Sequence, residues 1–163
     1  MFNSELIQYL FEYRDGKLYW KNKPSKYSNI SVGTEAGSLY NTGYRIIKFS
    51  GYRCQTHRLI YFYHYGHMPK IIDHIDSNPL NNKIENLREA TFSQNAYNTK
   101  INTRNKSGVK GVYFHKKSKK YVAQCTVDGF KKNLGGFTSL EEAENFVKKY
   151  RELHHGEFVN HGI

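Results

Sequence analysis

Within residues 3–13, apolar side chains fall at Leu6, Ile7, Leu10 and Phe11. That spacing marks one helical face and predicts a short amphipathic helix, with Ser4 available as its cap. Asp15-Gly16 then reads as a hairpin turn between short extended runs. Gly33, Gly37 and Gly43 punctuate a stretch of short strands, and residues 44–49 and 52–55 read as a hairpin around Ser50-Gly51. Apolar residues cluster again over 57–65, as in a buried helix that Gly66 and Pro69 end.

The middle of the chain changes character. Ile71-Ile72 predicts a short strand that runs into a polar loop, with a turn at Ser77-Asn78-Pro79 and an extension at Asn81-Asn82. A second short strand and a helix containing Asn95 and Asn98 follow, the helix capped by Thr91 or Ser93. Residues 99–108 are polar and basic and read as a linker. Three strands close the pattern, over 111–115, over 121–127 and from the Asp128-Gly129 turn to near Phe137. A last helix carries an apolar stripe of Leu140, Ala143, Phe146, Val147, Tyr150 and Leu153. Thr138 or Ser139 caps it, and Glu141 or Glu142 completes a capping box. The whole is α+β: an N-terminal β-hairpin region, a strand–loop–strand–helix centre, and a three-stranded antiparallel sheet packed on one helix.

Charge adds a partner class to this outline. The 163 residues carry 25 Lys and Arg against 14 Asp and Glu, a net +11. Such an excess favours a polyanion, because each neutralised phosphate releases a condensed counterion. The charge is also sorted. Residues 101–137 hold nine Lys or Arg and one acid, Asp128, whereas 138–163 hold three against five. The sorting fits a sheet that faces DNA and a helix that faces away. Cys54 and Cys125 stand far apart with no CxxC pair, which excludes a cysteine-based zinc site and argues against a disulfide framework. No apolar run reaches the roughly 20 residues of a membrane span, and the N-terminal stretch has no signal-peptide pattern. The expected compartment is a reducing one, the cytoplasm.

The central loop holds chemistry. Hydrolysing a phosphodiester requires a base that takes a proton from water and a charge that stabilises the phosphorane and the leaving oxygen. A histidine suits the first task. A carboxylate and an amide carbonyl are hard oxygen ligands for magnesium or manganese, which suit the second. Asp73 and His74 are adjacent, so a strand through both would point them to opposite faces unless the backbone bends. Asn95 can return a carbonyl from the later helix, and Asn86 can hold the loop or orient the histidine. Asp76 reads as a loop cap that bonds backbone amides, and His57 and Arg58 fit either packing or phosphate contact.

The run IIDHIDSNPLNNKIENLREATFSQNAYN, residues 71–98, resembles the HNH endonuclease motif in the branch common among phage-encoded and homing enzymes, with its internal spacing intact. The resemblance implies a ββα-metal core. It makes His74 the general base, Asp73 and Asn95 the ligands of one divalent metal, magnesium or manganese, and Asn86 the middle asparagine that positions the histidine and its loop. No structural zinc and no small-molecule cofactor are expected.

Residues 107–158 resemble the APETALA-type DNA-binding domain of plant ethylene-response factors, through Gly111-Val112, Lys120-Tyr121, Leu134-Gly135-Gly136-Phe137 and the Glu-Glu-Ala helix. A three-stranded sheet is narrow enough for the major groove. Alternation puts Tyr113, His115, Gln124, Thr126, Lys131 and Asn133 on the groove side. Lys116, Lys117, Lys119 and Lys120 sit at the first turn, for phosphates. Arg and Trp of the plant pattern are replaced here by Tyr113, His115 and Asn133, so the plant target sequence does not carry over. The expected layout is a nuclease domain at 1–98, a linker at 99–108 and a DNA-binding domain at 109–160. The expected activity is that of a monomeric, site-preferring, homing-type nickase acting on double-stranded DNA. The alternative is a DNA-binding regulator with an inactive nuclease core.

Overall fold

The computed structural model describes residues 3–162, and by compactness the chain divides after Glu89 into two units. In the first, α1 (Ser4–Leu10) leads into β1 (Phe11–Arg14) and β2 (Lys17–Trp20), which pair antiparallel. The helix is shorter than its apolar spacing predicts, and its cap is Asn3, whose side chain accepts from the Leu6 amide. Phe11 supplies the reason. As a strand residue it stands opposite Trp20, with ring centroids 4.7 Å apart, and meets Phe49 edge-on at 5.4 Å. This aromatic packing outweighs one more helical turn.

The chain continues through β3 (Ser38–Leu39), β4 (Arg45–Phe49) and β5 (Tyr52–Gln55), which form a sheet in the order β3-β4-β5, and then through α2 (Thr56–Tyr65). β6 (Ile71–His74) pairs with β7 (Leu87–Ala90), and a 3₁₀ turn at Ile84–Asn86 lies between them. The core contains Ile7, Leu10, Leu18, Ile47, Leu59 and Ile60, all essentially inaccessible. Each stabilises by roughly 1.5–3 kcal/mol through burial. Gly16 is required where it stands. Its φ is +80°, and a Cβ would lie 2.8 Å from the Lys83 amide nitrogen.

The second unit begins with α3 (Phe92–Tyr97), capped by a Thr91–Gln94 capping box. β8 (Val112–His115), β9 (Lys120–Val127) and β10 (Phe130–Phe137) form an antiparallel sheet with β9 in the centre. α4 (Leu140–His155) packs on it behind a Ser139–Glu142 capping box. Val112, Ala123, Ala143 and Val147 make its core. Segment 99–108, read as a linker from its polarity, is tied into this unit, as is Lys110 after it. The Asn105 side chain donates to the Val109 carbonyl, Ser107 Oγ donates to the Val112 carbonyl, and Lys110 Nζ donates to the Tyr97 carbonyl. Polar side chains here hold backbone rather than solvent, a use that composition does not disclose.

The division after Glu89 also places α3, the last element of the central motif, with the sheet that follows it. Tyr97 anchors it there. Its ring stacks on His155 at 3.7 Å, and its hydroxyl meets the Asp128 amide nitrogen at 2.6 Å and the Asp128 carboxylate at 3.2 Å. Among the described residues no helix is long and apolar enough to cross a membrane.

Candidate functional site

β6 carries Asp73 and His74 into the first unit as buried side chains, 4% and 6% exposed. The strand runs straight through both, and the turn starts after them, where the Ser77 amide donates to the His74 carbonyl. The two side chains accordingly engage different neighbours. Asp73 Oδ2 accepts from Arg88 Nε and Nη2 on β7, each at 2.9 Å. Arg88 is largely covered, so this is an ion pair with little water around it, and it anchors Oδ2 of the carboxylate.

His74 Nε2 lies 2.8 Å from Asn82 Oδ1. An amide oxygen only accepts, so the imidazole donates from Nε2. His57, from the first turn of α2, meets the His74 ring edge-on at 4.9 Å, and Tyr44 flanks both rings at 5.3 and 6.3 Å. Asn86 holds the loop. Its Oδ1 accepts from the Asp76 amide, and its Nδ2 donates to Asp76 Oδ1 and to the Asn81 carbonyl. Asp76 also accepts from the Asn78 amide and from Asn81 Nδ2. Partial burial works against its charge, but the bonds from Asn81, Asn78 and Asn86 outweigh it and hold the carboxyl below its usual range. Asp76 is thus the loop cap that the sequence suggests.

Two residues at this centre are ones that sequence reasoning missed. Asn82 looked like loop filler beside Asn81. Only the return of the loop over β6 gives its amide to His74. Arg88 follows Leu87 in a short strand, and its role depends on the β6–β7 pairing. Of the two residues left open, His57 is buried against the Tyr44 and His74 rings, and Arg58 donates to the carbonyls of Pro69 and Lys70, bracing the entry to β6.

Burial, reinforced by His74 and Arg58, pushes the His57 imidazole down to about 3 from an ordinary 6.5. His57 is therefore neutral in the working range. The sign follows from linkage. The unfolded chain binds this proton near pH 6.5 and the folded chain does not until about 3. The stability that depends on neutral His57 is present above 6.5 and drains as pH falls towards 3. We expect His57→Gln to flatten the acid limb of stability, by on the order of a few kcal/mol between these limits. Urea titrations at several pH values measure it, and an unchanged limb would show that His57 is not the acid-sensitive group.

Asn95 lies on α3 of the second unit, half-buried. Among the described residues no group of three or more His, Cys, Asp and Glu is placed to share a metal ion. The donors that remain, the oriented Asp73 carboxylate and amide carbonyls, are hard oxygens, which suits a small divalent cation that keeps several waters.

In the second unit, register puts Thr126 opposite Lys131, Gln124 opposite Asn133, His115 opposite Lys120 and Tyr113 opposite Val122. Cross-strand partners share a face. Tyr113, His115, Lys120, Gln124, Thr126, Lys131 and Asn133 therefore line the face away from α4, while Ala123 and Cys125 lie buried beneath. Tyr113, His115, Thr126, Lys131 and Asn133 are exposed, and Gln124 is half-buried with its amide 3.4 Å from the Tyr113 hydroxyl. Lys116, Lys117, Lys119 and Lys120 are exposed around the β8–β9 turn, where Lys119 takes a φ of 53°.

Residues 54–97 match the family model described as HNH endonuclease. Over 96 residues, 58% of this chain, the sequence is 38% identical to Protein 3.8 of Escherichia phage T7, covering 78% of that protein. Over 124 residues, 74% of this chain, it is 33% identical to the uncharacterized HNH endonuclease L560 of Acanthamoeba polyphaga mimivirus, covering 63% of that protein. No solved structure matches this chain.

Proposed function

Residues 54–97 form an HNH endonuclease domain, which makes the chain a nuclease, and we propose that it nicks double-stranded DNA, with His74 as general base and one magnesium or manganese ion held by Asp73 and Asn95. The single observation that carries the reading is the buried His74 imidazole held through Nε2 by Asn82, one residue after the Arg88-bound Asp73 on β6. With Nε2 donating to Asn82, the proton of an attacking water passes to Nδ1 of His74. Arg88 anchors Asp73 through Oδ2. Asn86 and Asp76 hold the loop that returns Asn82. A divalent cation at Asp73 would supply positive charge where the phosphorane and the leaving oxygen develop theirs. The ligand role of Asn95 rests on the motif resemblance.

The second unit docks the duplex, in the manner of the APETALA-type domains it resembles, with functional boundaries at 1–98 and 109–160. Tyr113, His115, Gln124, Thr126, Lys131 and Asn133 face the groove, and the four lysines of the β8–β9 turn contact phosphates. The expected signature is a steep fall of affinity with salt. Replacing all four lysines should flatten the log–log slope by about 0.9 for each phosphate no longer neutralised. An unchanged slope would put the DNA surface elsewhere.

One active site in a monomer suits one cut strand. Supercoiled plasmid incubated with magnesium or manganese should become open circle before any linear product. Binding without cutting under either metal would favour a DNA-binding regulator instead.

A further inference from the structure

β8 pairs with Lys120–Ala123 of β9 only. Beyond that, the Gln124 amide donates to the Gly111 carbonyl, and past this bond the edge of β9 opens into a pocket of about 360 Å³. Gly111 is itself required by the closeness of this approach, since a Cβ would lie 2.4 Å from the Gln124 carbonyl oxygen. α3 contributes Ala96 and Tyr97 to the pocket, and the sheet contributes Thr126 and Lys131.

The electrostatics of the pocket are one-sided. Lys110, Lys131, Arg151 and His155 line it, and no Asp or Glu does. Among the described residues Lys110 and Arg151 form no ion pair, although Arg151 is only 2% exposed. Lys110 Nζ is caged by carbonyls, those of Tyr97 at 2.8 Å, Asn160 at 3.0 Å and Thr99, and Arg151 Nη2 donates to the Lys110 carbonyl. Two buried nitrogens in this cluster have no partner, Arg151 Nη1 and His155 Nδ1. Basic groups packed together without a carboxylate weaken one another. Burial and then Arg151 bring Lys110 down to about 8, and burial lowers Arg151 and His155 as well. A core arranged for stability alone would place an acid here, because an unpaired buried cation is costly. An anion entering the pocket supplies the missing charge.

We propose that this pocket binds a phosphate group, supplied by the backbone of DNA lying across the edge of the sheet. Gln124, Thr126 and Lys131, which line it, belong to the face proposed to dock DNA, so the bound phosphate extends that surface past β9 to α3. The DNA assignment rests on the docking reading above. The phosphate site itself does not, and it stands whether or not the first unit cuts.

The test uses the full chain in EDTA. Inorganic phosphate should raise the thermal midpoint saturably, relative to chloride at equal ionic strength. Ala96→Glu places a carboxylate at the exposed α3 wall of the pocket, at a residue outside those proposed to face the groove, and should abolish that rise. Ala96→Gln, of the same shape without charge, should keep it. Duplex binding across a salt series should lose about 0.9 of slope in Ala96→Glu. Leu153→Glu on exposed α4 makes the same change in net charge and should not lose it. Equal midpoints in phosphate and chloride, or protection that survives Ala96→Glu, would overturn the site. Duplex-saturated protein should show no further rise with phosphate. A rise that persists there would overturn the DNA assignment and leave the pocket to free phosphate.

Discussion

His74→Ala is expected to lower single-turnover DNA cleavage by about 10²–10⁴-fold, the usual contribution of a positioned general base, while duplex affinity in EDTA stays at the wild-type value. The separation of the two readouts follows from the architecture. His74 stands in the first unit on β6, and the basic face proposed to hold DNA belongs to the sheet of the second. The substitution also leaves the buried Asn82 amide oxygen without its donor, which costs about 1–3 kcal/mol. Thermal midpoints recorded beside the rates separate that loss from the chemical one. Cleavage that persists at the wild-type rate would remove His74 from the reaction, and parallel loss of cleavage and binding would mean that the substitution acts on the fold.

The second large effect concerns Asp73. Its carboxylate is buried against Arg88, so Asp73→Ala removes the paired carboxylate from a guanidinium that is largely covered. Breaking one side of a buried pair costs about 3–5 kcal/mol, and we expect the urea midpoint to fall accordingly. Replacing both partners, as in Asp73→Leu with Arg88→Met, should recover most of the stability because no charge is left unpaired. Cleavage should not recover. Loss of the cation's contribution of several kcal/mol corresponds to about a 10³-fold slower reaction. Calorimetric titration with manganese should show binding by the wild type and none by the double variant. A double variant that is stable and also cuts would show that the carboxylate serves the fold alone.

Local rules made much of this fold legible. The Ser139–Glu142 capping box and the Leu140, Ala143 and Val147 part of the stripe place α4 correctly, whereas Phe146 and Leu153 of that stripe stay exposed. The Thr91 cap of α3 and the alternation of β9 are read from the same kind of signal. α1 fails the same reading by three residues, since Phe11 gains more from Trp20 and Phe49 across a strand than from another helical turn. The site divides in a similar way. Asp73, His74 and Asp76 stand out by residue type, but the partners that give them geometry are Arg88, Asn82 and His57. Each reaches the centre through strand pairing, loop return or helix placement, and none of these is a property of nearby sequence. The same holds for Tyr97 and Lys110, whose polar atoms tie α3 and segment 99–111 to the second unit.

The claim beneath all of this is that the imidazole at position 74 takes the proton from the attacking water. Chemical rescue measures it most directly. His74→Gly, with the ring removed and its cavity left open, should cut DNA at the depressed rate of His74→Ala, and added imidazole should raise that rate saturably in the presence of magnesium or manganese. Cleavage by His74→Gly that is indifferent to imidazole, in a variant shown to be folded and to bind the metal, would contradict the account.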